Sequence, residues 1–136
     1  MSVPFLALAL VLASIQQAPA AVPTSSERYE QAMRCAGVMA ASSSLHAFTG
    51  NTEAKARTDQ KGRGFITAAT GFSQPLGLGQ QQLSEAFAAS TRLALNPIMQ
   101  TRDQAATDAA IDRLNADHDA CIAMARGWLA EANGIS

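Results

Sequence analysis

Aromatic side chains are scarce in this 136-residue chain: five Phe, one Tyr and one Trp. With alanine in excess and few large rings, any hydrophobic core is modest and its stability margin small. Charge imbalance is equally lacking. The formal net charge is −1, which gives no broad electrostatic footprint for nucleic acid or an anionic membrane surface. Cysteine occurs twice, at Cys35 and Cys121, with no CxxC and no CxxCH, so covalent c-type haem attachment is excluded. No apolar run approaches the roughly 20 residues that a membrane span requires. No serine sits in a nucleophile elbow. Gly77 and Gly79 do not complete a dinucleotide fingerprint, because the third glycine position holds Gln82 and no strand precedes them.

What is present begins with a short uncharged apolar run, Val3 to Ile15, followed by Gln16-Gln17 and then Ala18-Pro19-Ala20. The last three residues obey the small-x-small rule for cleavage, so residues 1–20 read as a secretory signal peptide. They depart from the usual pattern in having no Lys or Arg before the apolar run. Residues 21–136 are then a single domain that is periplasmic or secreted, with no stable membrane span once the signal is removed. In an exported protein an even pair of cysteines favours a disulfide over free thiols.

Four helices are predicted in that domain. Thr24-Ser25-Ser26-Glu27 has capping-box spacing, so a first helix starts near Ser25 and runs to about Phe48, where Thr49-Gly50-Asn51 stops it. Its middle, Ala36 to Ser44, is crowded with small residues that let a neighbouring helix approach closely. A second helix covers Thr52 to about Phe72, with Phe65, Ile66, Ala69 and Phe72 at helical spacing and two weakening glycines, Gly62 and Gly64. Lys61-Gly62-Arg63-Gly64-Phe65 has the composition of an RNA-binding string but lacks the strands that such motifs need. After a loop broken by Pro75, a third helix spans about Gln80 to Leu95, with Pro97 either ending it or opening a short continuation through Met99. The fourth, from Thr101 to Ala132, carries the stripe Thr107, Ile111, Leu114, His118, Cys121, Ala125, Trp128 and Ala132. Its expected cap is Thr101, from the spacing Thr101-Arg102-Asp103-Gln104. Four amphipathic helices joined by short loops make an all-α, antiparallel up-down-up-down four-helix bundle.

The bundle makes a demand on the cysteines. Cys35 lies about ten residues into the first helix, roughly 15 Å along its axis, and Cys121 about eleven residues from the end of the fourth, roughly 17 Å. In antiparallel neighbours these heights agree, so Cys35 and Cys121 are expected to form a disulfide joining the first and fourth helices. Counting onward from that bridge sets Met39 opposite His118 and Ser42 opposite Leu114.

A methionine and a histidine facing each other across a helical bundle resembles the ligand arrangement of a b-type haem bundle. With reduced thiols, Cys35, Cys121, Met39 and His118 would instead be a sulfur-rich set of the kind copper prefers. The plainer reading is a core methionine and a hydrogen-bonded histidine, with no cofactor. Asp117-His118-Asp119 looks like an acid–base cluster in print, yet successive helical residues diverge by about 100°, so the aspartates leave the stripe that His118 shares. Basic Lys55, Arg57, Lys61 and Arg63 and the acidic run from Asp103 to Asp119 read as solvated helix faces. The functional expectation is a non-catalytic binding or structural module for another envelope protein. The rival is a b-type haem or copper carrier using Met39 and His118.

Overall fold

A computed structural model describes residues 23–134, so the signal-peptide reading of residues 1–20 lies outside the described residues. The chain is all-helical there: α1 (Ser25–Phe48), α2 (Thr52–Ser73), a single 3-10 turn at Gln74–Leu76, α3 (Gln80–Met99) and α4 (Gln104–Ala132), with no strand among the described residues.

Local chemistry sets the ends. The Thr24 hydroxyl accepts from the Glu27 N–H, and the Glu27 carboxylate accepts from the Thr24 N–H, completing the expected capping box. Gly50 then reverses the chain at φ +74°, a conformation that costs glycine nothing sterically, and Asn51 caps α2 by accepting from the Ala54 N–H. Pro97 lies inside α3, which continues to Met99. The start of α4 differs from the sequence expectation. Asp103, not Thr101, is the cap, accepting from the Ala106 N–H at 2.8 Å. The Thr101 hydroxyl is engaged elsewhere, with the Ile98 carbonyl and the Thr107 hydroxyl.

α1 is the axis of the molecule. It packs most extensively against α2, then α3, and least against α4, and between Ala32 and Ser43 only Arg34 and Ala40 are not buried. Its small residues make this arrangement accessible: a helix whose surface is Ala, Gly and Ser can be surrounded at close range. The closest approach is Gly37 against the backbone of Ser90 on α3. Towards α2, Met39 lies against Gly62, and the Ser43 hydroxyl donates to the Asp59 carboxylate. Lys55 donates to the other Asp59 oxygen at 2.7 Å, and these two donors hold the Asp59 carboxyl below the ordinary aspartate range. Towards α4, Cys35 and Cys121 are both fully buried and form a disulfide pair with a Cα–Cα distance of 5.6 Å, as the matched heights require. Going from Arg28 to Cys35 on α1 runs back from Glu131 to Cys121 on α4, so these two helices are antiparallel.

The remaining core is thin. Phe65 and Ala69 from α2, Leu83 from α3 and Leu114 from α4 complete it around α1. α4 is 29 residues long but buries only Ala110, Leu114 and Cys121.

Candidate functional site

α2 and α4 both rest on α1, and they meet each other through aromatic side chains. The Trp128 ring stands edge-on to Phe65 and to Phe72, with centroids 6.2 Å and 5.4 Å away and interplanar angles of 75° and 77°, the arrangement that ring quadrupoles favour. Helical spacing explains it. Phe65 and Phe72 are seven residues apart and project from one face of α2, at the level where Trp128 leaves α4.

Above this aromatic floor the two helices leave an apolar groove of about 690 Å³. Its walls are lined by small side chains, Gly64 and Ala68 from α2 and Ala125 from α4. A Cβ added at Gly64 would meet nothing within 4 Å, so that wall carries a notch. At the rim, Arg28 and Glu131 form an ion pair at 2.6 Å across 103 residues of sequence. The Arg28 guanidinium also lies 5.9 Å from the centroid of the Phe72 ring, within cation–π range. Lys61 lines the same groove and forms no ion pair among the described residues. The groove is open to solvent, with Leu129 at its edge 64% exposed.

The residues singled out from sequence are placed as follows. Cys35 and Cys121 are brought together. Met39 is 1% exposed and lines a smaller cavity of about 420 Å³ with Thr58, Gly62 and Phe87. His118 is half-buried on α4 and lines neither that cavity nor the groove. Its Nδ1 is 3.4 Å from the Asp119 carboxylate, a loose contact with a group that is 86% exposed. That contact runs against the expectation that the flanking aspartates point away from the ring. Asp117 turns to another face, beside the α1–α3 contact. No group of three or more His, Cys, Asp or Glu able to hold a metal ion occurs among the described residues. Two of the four basic residues of α2 are engaged within their own helix, Lys55 with Asp59 and Arg57 with Glu53.

Trp128 and Ala125, on the stripe expected to face the core, are half-buried, because α2 does not close over them. Arg28, Lys61 and Glu131 were not singled out as a group. The usable signal was the coincidence of Phe65 and Phe72 with Gly64 and Ala68 on one face of α2, large residues beside small ones.

No family model matches the chain, and no curated protein or solved structure is significantly similar to it.

Proposed function

We propose that the protein is an exported, non-catalytic binding module that holds an apolar segment of another envelope protein in the α2–α4 groove. One observation carries the reading: an open, aromatic-floored channel whose only charged side chains are an ion pair and one lysine at the rim. An apolar cleft with a few polar groups at its edge is the usual form of a binding site. The groove holds no nucleophile paired with a base, which acyl, phosphoryl or glycosyl transfer would need. The reading includes cleavage of a signal peptide over residues 1–20, a periplasmic or secreted location, and up-down-up-down helix order. A buried cysteine pair and the antiparallel register of α1 and α4 support them. No helix among the described residues is long and apolar enough to cross a membrane.

The experiment is in-cell crosslinking followed by mass spectrometry, comparing the wild-type chain with Gly64→Arg. The substitution fills the notch from an exposed position and leaves the core untouched. A crosslinked envelope protein present for wild type and lost in a folded Gly64→Arg variant is the expected result. An identical crosslink pattern in both would sink the reading. The carrier alternative draws less support, because His118 and Met39 do not line one cavity. A Soret band, or copper bound by the purified mature protein and lost in Met39→Leu, would favour it instead.

A further inference from the structure

The chemistry of the groove narrows the kind of segment that fits. We propose that its occupant is an amphipathic helix, laid with its apolar stripe on Phe65, Phe72 and Trp128 and carrying a carboxylate opposite Lys61. This rests on the α2–α4 groove being the binding surface.

Three features select a helix. Both walls of the groove are helices whose backbone groups are hydrogen-bonded within themselves, so there is no strand edge for an extended peptide to pair with. The groove is also too open for a lone small amphiphile. Small-molecule sites bury roughly 70–90% of the ligand and so need walls on most sides, whereas this groove is open along the side where Leu129, Gly64 and Ala132 lie at the surface. A helix needs only one face covered and keeps the other in water. The relief matches as well. Gly64, Ala68 and Phe72 form a row at four-residue spacing on α2, two small residues then a large one, and Ala125 and Leu129 form a second row on α4. Rows of this spacing make the groove into which a ridge of a third helix packs. From Lys61 to Phe72 the wall is about 16 Å long, three helical turns.

Charge selects the sign. Arg28 and Glu131 neutralise one another across the rim, which leaves Lys61 as the uncompensated charge among the lining residues. A partner helix bringing a carboxylate to Lys61 gains a rim ion pair; one bringing a lysine meets repulsion at the same place. Rim charges of this kind set orientation and partner choice more than total affinity.

Trp128 is the chain's single tryptophan and lies on the floor, so its emission reports occupancy directly. The test is a fluorescence titration of the mature protein with two synthetic helices of about 15 residues, free of Trp and Tyr. Both carry a leucine stripe, and they differ only in Glu or Lys at one flanking position. Sodium dodecanoate is titrated separately. The expected result is a shift in Trp128 emission with the Glu peptide binding about tenfold more tightly than the Lys peptide. Lys61→Glu, an exposed substitution, should reverse that order. Equal binding of both peptides, unchanged by Lys61→Glu, overturns the acidic-helix assignment while the groove reading stands. A response to dodecanoate with none to either peptide overturns the helix in favour of a small amphiphile. If no probe moves Trp128 but the crosslink lost in Gly64→Arg persists in wild type, the helix is again overturned and the groove survives. Silence in both experiments removes the groove reading itself.

Discussion

A Cβ placed on Gly37 of α1 would stand 2.5 Å from the backbone carbonyl carbon of Ser90 on α3. The two helices touch backbone to backbone there, and the contact is what lets α3 join α2 and α4 around a single central helix. Gly37→Ala gains about 1 kcal/mol of helix propensity. Against it stands overpacking, which costs about 1–3 kcal/mol where the neighbour can shift. Here the neighbour is backbone, so the upper part of that range applies and the net change should be a loss of about 1–2 kcal/mol in a urea melt. Gly64→Ala is the contrast. Its new methyl meets open space, and stability should rise by about 0.5–1 kcal/mol. An unchanged or raised stability for Gly37→Ala would mean that the close approach to Ser90 is absent in solution.

The Cys35–Cys121 bond carries a large share of what holds α4 in place, since that helix buries only three of its side chains. The bridge joins positions 86 residues apart, for which the chain-entropy model gives about 4.5 kcal/mol as an upper figure. Full reduction should therefore lower the melting temperature markedly. Because Trp128 sits on α4 against Phe65 and Phe72, its emission should move to the red before the far-ultraviolet helical signal is lost. A melt that is unchanged by reductant, or two titratable thiols in protein purified without reductant, would count against the bridge.

Acid should weaken the α1–α2 contact through Asp59. Its carboxyl is held below the ordinary aspartate range by the Lys55 ammonium and the Ser43 hydroxyl, both donating to the charged form. Above that range both folded and unfolded states are ionised and the stabilisation is fully present. As pH falls, the unfolded chain binds its proton first, and stability declines until the folded carboxyl is protonated too. Asp59→Asn should lower stability at neutral pH and flatten the acid limb of the stability curve between the unfolded and folded values. An acid limb of the same slope in wild type and variant would show that other carboxylates dominate it.

Helix ends and the cysteine pairing were legible because each depends on neighbours in sequence or on distance along one axis. Thr24 and Glu27 cap α1, Thr49-Gly50-Asn51 ends it, and equal heights brought Cys35 to Cys121. The start of α4 was misplaced because Thr101 and Asp103 both have a side-chain acceptor near the right place. The Thr101 hydroxyl is taken up by the Ile98 carbonyl and the Thr107 hydroxyl, which leaves the cap to Asp103. Met39 and His118 illustrate a different limit. Counting from the bridge gives height but not azimuth, and Met39 lies against Gly62 on α2. The groove was the least legible feature. It arises from what α2 and α4 fail to cover, and its rim pair, Arg28 and Glu131, is 103 residues apart in sequence. No periodicity within one helix contains that information. The near-uniform burial of the middle of α1, from Ala32 to Ser43, was hidden for a related reason, since a surface rich in Ala, Gly and Ser presents no single apolar stripe to read.

The Arg28–Glu131 pair allows stability and recognition to be separated. Glu131 is 60% exposed and Arg28 17% exposed, so screening keeps the pair's contribution small, no more than about 1 kcal/mol. Glu131→Gln should accordingly leave the melting temperature nearly unchanged. It does, however, release the Arg28 guanidinium, and the rim then carries two uncompensated cations, Arg28 and Lys61, where it carried one. The acidic synthetic helix should bind Glu131→Gln more tightly than wild type, by roughly three- to tenfold at low ionic strength. The gain should shrink towards physiological salt as the Debye length falls to about 8 Å. Titrating wild type and variant through Trp128 at two salt concentrations checks both parts. If Glu131→Gln unfolds the chain, the pair is structural. Unaltered affinity and salt dependence in a stable variant would instead mean that charge at this rim plays no part in choosing the partner.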